Sequence, residues 1–335
     1  MKILFIGGTG LISSACSDLA LARGHELFIL NRSTSTKYPL PSGATLLKGD
    51  IHADETHLAS LLAGHRFDAV VDFIAFTAED IERDIQLFTE KTEQFVFISS
   101  ASAYQKPVKN YWITEETPLE NPFWEYSRNK IACESRLMDV YRNEGFPITI
   151  IRPSLTYGPT QIPLAVASWL HPWTVIDRMK RGQKVIVPGD GTSLWVTTWN
   201  ADFAKGLVGL LGNQNAIGEA FQITSDEALT WDQIYLEVYQ ALGAEPNVVH
   251  IPSDLLVAHD PEKLGTLIGD KSNSVVFDNS KIKRFVPEFH CEVSWAEGVR
   301  RSLAWFESHP EFQTVDDDAV RAWDQIISAY ERSFP

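Results

Sequence analysis

The amino-terminal part of the chain alternates between two apolar patterns, and this alternation restricts the possible folds more than any other feature. Lys2 to Ile6 is a nearly continuous apolar run, typical of a parallel strand covered on both faces. From Leu11 to Arg23, apolar residues recur at three- and four-residue spacing, which predicts a helix. Glu26 to Leu30 is apolar again. The sequence therefore predicts a strand, a glycine-rich turn, a helix and a second strand.

The glycine-rich turn GGTGLIS, between the first strand and the first helix, has the form of a dinucleotide-binding turn. Backbone amides at the start of the helix can face a pyrophosphate, and glycine allows the two to approach. Ser13 stands where a third glycine is expected, and its small side chain still fits between helix and strand. We therefore expect a dinucleotide with contacts from Gly7, Thr9, Gly10, Leu11 and Ile12. The alternative is a strand-to-helix turn that binds no ligand.

The end of the second strand bears on the choice of cofactor. A carboxylate here would bind the ribose 2′-hydroxyl of NAD, whereas a nearby arginine accepts the 2′-phosphate of NADP. The chain has Asn31, Arg32 and Ser33 at this point, and we expect all three to contact the cofactor. The predicted cofactor is NADP or NAD, with NADP favoured. The alternative is that Arg32 is a solvated loop charge.

The alternation of strands and helices continues through the first half of the chain. The pattern predicts strands at Thr45 to Lys48, Ala69 to Phe73 and Gln94 to Ile98, and helices at Leu58 to Leu62 and Ala78 to Thr89. This order predicts an α/β fold with a doubly wound parallel sheet of the Rossmann type and a smaller C-terminal substrate domain.

Residues at or just after the ends of the predicted strands are further candidates for cofactor contacts, because the carboxyl ends of parallel strands lie along one edge of the sheet. They are Asp50 and Ile51 at the adenine, Phe73, Ile74 and Ala75 along the cofactor, and Ser99 after the fifth strand.

Among the nine tyrosines, Tyr126 alone has a lysine, Lys130, four residues later. On a helix this spacing places the phenol and the ammonium on one face. A nearby cation, together with the positive ring of an oxidised nicotinamide, favours the phenolate and lowers the pKa of the tyrosine toward that of a general base. Ser100, after the fifth strand, could hold the substrate oxygen beside the phenol. The alternative is an ordinary amphipathic helix start.

Four motifs together resemble the extended short-chain dehydrogenases/reductases, specifically the NAD-dependent epimerase/dehydratase family. They are GGTGLIS, FISSASAY, the Tyr126 and Lys130 pair, and IRPSLTYGP from Ile151 to Pro159. Later segments such as GDGTSLWVTTWNADFAKGL follow the family's order, so the resemblance covers most of the chain. It implies Ser100, Tyr126 and Lys130 as the catalytic residues, and Pro153 and Ser154 beside the nicotinamide. It further implies hydride transfer at a carbinol carbon of a sugar or nucleotide sugar.

The sequence departs from the family pattern in its substrate region. Family members that dehydrate nucleotide sugars resemble one another in an Asp-Glu pair after the active-site Ser/Thr, but this chain has Ala101 and Ser102. Elimination of water needs a positioned acid and base, which argues against a 4,6-dehydratase. The segment Gly189 to Trp195 has no arginine to bind a diphosphate, although Arg178 in the preceding helix could compensate. Epimerase and dehydrogenase or reductase activities both stay open.

The second half of the chain is expected to contain the substrate domain. We predict a dinucleotide-binding domain from residues 1–163 plus 192–224, a substrate-binding domain from 164–191 plus 225–304, and C-terminal helices in 305–335. Val196 to Trp199 and Ala220 to Ile223 are expected to return to the main sheet.

The chain has ten tryptophans, and several fall in segments near the expected cleft. Indole rings stack on the apolar face of a sugar, and the N–H group fixes orientation. The predicted substrate contacts are Ser102, Trp124, Trp169, Arg178 and Trp195. Packing in the core is the alternative for each tryptophan.

Composition restricts the partners and the compartment. The formal charge of −15 and the lack of a basic stripe argue against nucleic acid. The three cysteines have no metal-site spacing, and Asp316 to Asp318 is interpreted as a helix cap, so no metal is expected. No apolar run approaches a membrane span and no leader is seen, which predicts a cytoplasmic protein with no membrane partner.

A small-molecule substrate is the expected partner, and helices at Ala78 to Thr89 and Tyr126 to Asn143 could form a homodimer contact. Two other functions stay open on the same scaffold. GGTG, Asn31-Arg32 and DFIAF also resemble plastid RNA-binding proteins, and a regulator could sense the dinucleotide without turnover. The intact Tyr126 and Lys130 pair argues against the regulator.

Overall fold

The computed structural model describes residues 1–35, 37–52 and 55–333. Its strands are β1 (Lys2–Ile6), β2 (Glu26–Asn31), β3 (Thr45–Lys48), β4 (Ala69–Asp72), β5 (Phe95–Ile98), β6 (Trp112–Ile113), β7 (Ile148–Pro153), β8 (Leu155–Tyr157), β9 (Val185–Pro188), β10 (Leu194–Trp199), β11 (Ala220–Ile223), β12 (Ala228–Thr230), β13 (Val248–Ile251) and β14 (Val276–Phe277).

The helices of the described chain are α1 (Ser13–Ala22), α2 (Glu55–Leu61), α3 (Ala78–Phe88), α4 (Glu125–Glu144), α5 (Trp173–Lys180), α6 (Asn200–Leu210), α7 (Trp231–Leu242), α8 (Ser253–His259), α9 (Ser280–Phe285), α10 (Trp295–Ser308) and α11 (Asp317–Glu331). Short 3₁₀ turns and one π-helical turn, Leu267–Lys271, connect some of them. Asp316 caps α11 by accepting the amide of Ala319 at 3.0 Å, in line with its interpretation as a helix cap.

A seven-stranded parallel sheet forms the centre of the molecule, in the order β11-β7-β5-β4-β1-β2-β3. All strands are parallel, and the order in which they are added reverses at β1: β2 and β3 lie on one side of it, and β4, β5, β7 and β11 on the other. The boundary between β1 and β4 is therefore the switch point of a doubly wound sheet. Along β1, Ile3 and Phe5 face one buried apolar cluster, and Leu4 and Ile6 face the other. Helices therefore cover both faces, and the predicted fold class is confirmed.

The prediction that Val196 to Trp199 returns to the main sheet is wrong. These residues belong to β10, which pairs in parallel with β8 and antiparallel with β12 in a separate three-stranded sheet. The main-sheet position beside β7 is taken by β11, through pairs such as Phe221 with Ile151. The chain leaves the main sheet after Pro153, and the next strand, β8, pairs with β10 in the separate sheet. Ala220 to Ile223 does join the main sheet.

A third apolar cluster lies outside the main sheet and includes Trp231 on α7 and Trp295 on α10. Ile326 and Ile327 on α11 are buried in the same cluster. The last helix thus packs in the same cluster as α7 and α10. No helix in the described residues is long and apolar enough to cross a membrane.

Candidate active site

A cavity of about 790 Å³ opens at the carboxyl ends of β1, β4, β5 and β7. Most of the predicted cofactor and catalytic residues line it: Gly7, Thr9, Gly10, Leu11, Ile12, Phe73, Ile74, Ser99, Ser100, Tyr126, Lys130, Pro153 and Ser154. The fold brings them together because each lies at or after the carboxyl end of a strand of the parallel sheet, or at the start of a helix that follows such a strand.

The glycine-rich turn has backbone geometry that requires glycine. Gly7 has a φ of +103°, and a Cβ added to Gly8 would lie 2.8 Å from Cγ2 of Ile29. Ser13 at the start of α1 accepts a hydrogen bond from the Gly10 amide at 2.8 Å, so its side chain is part of the turn. The Leu11 amide, in contrast, has no hydrogen-bond partner within the described ranges. Such a turn can receive an anion.

The residues predicted at the adenine and ribose end lie at the carboxyl ends of β2 and β3, outside the lining of the cavity. Asn31 donates to the Thr9 hydroxyl at 2.9 Å and accepts from the Ser33 amide at 2.9 Å. The Arg32 side chain is 68% exposed, and its guanidinium lies 3.9 Å from the Asp50 carboxylate. Ile51 is buried. Arg32 is therefore held loosely enough to meet a ligand at this edge.

Tyr126 and Lys130 lie in the first turns of α4 and both line the cavity. The Lys130 ammonium donates to the carbonyl oxygens of Ala75 at 2.6 Å and Ile98 at 2.8 Å, and lies 5.8 Å from the centre of the Tyr126 ring. Ala75 is therefore beside the site through its carbonyl, although it does not line the cavity. Burial lowers the pKa of Lys130 to about 8.

Burial raises the pKa of the Tyr126 phenol, while hydrogen bonding to the Ser100 side chain acts in the opposite direction. The Ser100 hydroxyl also lies 2.9 Å from that of Ser102, which accepts from Ser127 at 2.7 Å. This chain of hydroxyls orients Ser100. The phenol of the free protein therefore holds its proton at neutral pH, and a nearby positive charge would be needed to release it.

A buried ion pair behind the cavity was not expected from sequence. Glu134 on α4 and Arg152 on β7 form a bidentate contact with distances of 2.6 to 3.2 Å. Ser99 donates to Glu134, and Arg152 donates to the Tyr104 hydroxyl at 3.2 Å. The spacing of Glu134 four residues after Lys130 is a signal that could have placed it near the site. The pair links α4 to the strand that ends at Pro153.

Four of the five predicted substrate contacts line the cavity, namely Ser102, Trp124, Trp169 and Trp195. Trp195 stacks on Trp231 with ring centres 5.6 Å apart. Arg178 does not reach the cavity. Its buried guanidinium donates to the Lys184 carbonyl at 2.9 Å and to Asp324 at 2.7 Å. The expectation that Arg178 contacts the substrate is corrected accordingly.

Other cavity residues carried no recognisable sequence motif. Lys106 comes from the segment after the fifth strand, and Asp270 and Lys271 come from the π-helical turn. These segments are more than 150 residues apart in sequence, and no periodic pattern connects them. Their meeting in one cavity is a result of tertiary packing.

A doubly wound sheet, a glycine-rich turn and a Tyr/Lys pair on one helix, all facing one cavity, define the extended short-chain dehydrogenase/reductase class. The sequence model of the NAD dependent epimerase/dehydratase family matches residues 3–224. The chain belongs to this family.

Curated relatives of the chain span several activities. A chloroplast stem-loop binding protein of 41 kDa from Arabidopsis thaliana is 29% identical, covering 94% of this chain and 76% of that protein. A UDP-N-acetyl-alpha-D-glucosaminuronate decarboxylase of Bacillus cytotoxicus is 22% identical, covering 91% and 97%. A dTDP-D-glucose 4,6-dehydratase of Mus musculus is also a relative, at 21% identity over 92% of this chain and 89% of its own. The comparisons therefore give no support for excluding dehydratases.

Solved structures share the fold. A UDP-glucose 4-epimerase with UDP-glucose from Thermotoga maritima superimposes with a TM-score of 0.74 at 21% identity, covering 92% of this chain and all of that one. A dTDP-glucose 4,6-dehydratase of Bacillus anthracis in complex with NAD gives 0.73 at 19% identity, covering 93% and 98%.

Proposed function

We propose that the protein is an NAD(P)-dependent epimerase or dehydrogenase/reductase that acts at a carbinol carbon of a sugar or sugar derivative. The observation that carries this proposal is the convergence of Ser100, Tyr126 and Lys130 in the cavity that the glycine-rich turn also lines. The pair alone would be weak support, because tyrosine and lysine are common at helix starts. Its position beside a dinucleotide turn is what favours catalysis.

The residues of the cavity fit a dinucleotide. The positive φ of Gly7 and the Leu11 amide, which has no hydrogen-bond partner in the described residues, suit a pyrophosphate. We assign Asn31, Arg32 and Ser33, at the end of β2, to the adenosine ribose. The side chain at this position is neutral, and Arg32 is exposed beside it, which favours NADP over NAD. When bound, the nicotinamide supplies the hydride acceptor and donor.

Tyr126 is proposed to remove the proton of the substrate hydroxyl and to return it in the reverse direction. Ser100 holds the substrate oxygen next to the phenol, and the chain of hydroxyls through Ser102 orients Ser100. Lys130 is fixed by two main-chain carbonyls at the side of the phenol ring. Its positive charge acts toward the phenolate, and the positive ring of a bound oxidised nicotinamide would act in the same direction against the effect of burial.

The cavity carries no acidic pair beside Ser100, because positions 101 and 102 are Ala101 and Ser102. We therefore propose hydride transfer without elimination of water, although dehydratases are among the relatives. An RNA-binding function is not favoured, because the chain carries a formal charge of −15.

The proposal is tested by denaturing the purified protein and identifying any released dinucleotide. The intact protein is then incubated with NAD or NADP and a panel of free and nucleotide-linked sugars, while the reduced nicotinamide is followed by absorbance. Conversion of a sugar without net reduction would indicate an epimerase, and net reduction a dehydrogenase. Tyr126→Phe should abolish either activity and keep dinucleotide binding. A protein that binds neither dinucleotide would refute the proposal.

A further inference from the structure

Lys106 is a buried cation in the wall of the cavity. The residue is 2% exposed, and it lies in the segment that follows Ser100 and Ser102. Within residues 1–35, 37–52 and 55–333, its ammonium forms no hydrogen bond and lies within 4.0 Å of no carboxylate. The stem of the side chain is buried and the residue lines the cavity, so an ammonium without a protein partner in these ranges is available to a ligand in the cavity.

The other cations of the cavity already have partners. The described residues place three lysines in the lining, and no arginine is among them. Lys130 donates to two carbonyls, and Lys271 lies 3.5 Å from the Asp270 carboxylate. Among the described residues of the lining, Lys106 is the cation left for a ligand.

The surroundings of Lys106 place it near the catalytic end of the cavity. The Asn121 amide donates both to the Ser102 carbonyl at 2.9 Å and to the Gly269 carbonyl at 2.8 Å, which joins the π-helical turn to the segment after the fifth strand. The Asp270 carboxylate, next in sequence to Gly269, acts to raise the pKa of both Lys106 and Tyr126, and all three residues line the cavity. A group bound by Lys106 would therefore lie in the same cavity as Ser102 and Tyr126.

The charges around this point favour an anionic ligand. Burial lowers the pKa of Lys106, and the Asp270 carboxylate offsets that effect in part without pairing with the ammonium. Because Lys271 already balances Asp270, the local charge with Lys106 protonated is positive. A ligand oxyanion would satisfy the ammonium through a charge-assisted hydrogen bond.

We propose that Lys106 recognises a carboxylate of the substrate beside the reacting carbon, so that the substrate is a sugar acid in place of a neutral sugar. The position of the reacting carbon rests on the proposed function of Tyr126. Recognition of the carboxylate itself is a binding event and is tested without turnover.

The experiment measures binding by isothermal titration calorimetry to the Tyr126→Phe variant saturated with oxidised dinucleotide. The probes are UDP-glucuronate, UDP-glucose, free glucuronate and free glucose. We expect the acidic member of each pair to bind at least about tenfold more tightly than the neutral one, since one hydrogen bond to a charged group gives a difference of this size. Lys106→Met should remove that preference and leave the affinity for UDP-glucose unchanged.

Lys109→Met is the matched control, because Lys109 is an exposed lysine three residues away and should keep the preference. Lys106→Gln serves as a second variant if Lys106→Met does not fold, with folding checked by circular dichroism. Equal affinity for acidic and neutral probes would overturn the proposal. So would an equal loss of UDP-glucuronate and UDP-glucose binding in Lys106→Met, which would assign Lys106 to the diphosphate. If the variant shows the preference but the unmodified protein transfers no hydride to or from any of the four probes, the proposed function is refuted and recognition of the carboxylate stands.

Discussion

The hydroxyl oxygen of Ser13 lies 2.8 Å from the amide nitrogen of Gly10 and accepts its hydrogen bond. The residue at the expected third glycine position thus closes the turn from within. Ser17, one turn further along α1, donates to the Gly8 carbonyl at 2.8 Å. Two side chains of one helix therefore hold the glycine-rich turn, and the departure from the glycine pattern is compatible with a dinucleotide site.

Ser13→Ala is expected to lower the free energy of unfolding by about 1 kcal/mol, the typical contribution of one hydrogen bond. The measurement is the urea midpoint. Ser14→Ala is the control, because it makes the same substitution in the same helix at a side chain with no hydrogen bond in the described residues. Equal midpoints for the two variants would show that the Ser13 contact does not stabilise the turn.

Arg32→Ala should weaken NADPH binding about tenfold and change NADH binding little, because only NADPH offers a 2′-phosphate to the guanidinium. Fluorescence titration of the reduced dinucleotides measures both affinities. Arg66→Ala removes an equally exposed charge. Arg66 precedes β4 and so lies at the amino edge of the sheet, away from the cavity, and its loss should change the affinity for neither dinucleotide. Parallel losses for NADPH and NADH in Arg32→Ala would contradict an NADP preference that depends on Arg32.

The lowered pKa of Lys130 makes its contribution to stability depend on pH. Between pH 8 and its ordinary value of 10.5, the unfolded chain keeps the proton that the folded protein has lost. Stability therefore rises with pH across this window. Relative to Lys130→Met, the free energy of unfolding of the unmodified protein should increase by up to about 3 kcal/mol between these two pH values. Urea unfolding at steps across the window measures the difference, and a flat difference, as expected for Lys109→Met, would be inconsistent with a buried ammonium.

Glu134→Ala should lower the free energy of unfolding by about 3 to 5 kcal/mol, because it leaves the Arg152 guanidinium buried without its carboxylate. Urea unfolding again provides the measurement. The comparison variant is Glu82→Ala, whose ion pair with Arg136 lies at the surface and should contribute little. Similar losses in both variants would mean that burial of the Glu134 pair has no special role.

The sequence determined the parts of this protein that depend on neighbouring residues. The runs in β1 and β2, the turn at Gly7 to Gly10 and the helical spacing of Tyr126 and Lys130 are all local patterns, and the structure has each of these elements where predicted. Parallel pairing then brings the strand ends together, because the order of strands and crossovers allows few other arrangements.

Tertiary structure alone decided the contacts between distant segments. Arg178 turns to Asp324, 146 residues away, and not to the cavity. β10 pairs with β8 because the main-sheet edge beside β7 is occupied by β11. Lys106 and Asp270 line the same cavity, and Asn121 joins their two segments through the carbonyls of Ser102 and Gly269. The spacing of apolar residues in the sequence indicates which face of a helix or strand is buried. It does not indicate which distant polar group a side chain will contact, because that depends on the packing of the whole chain.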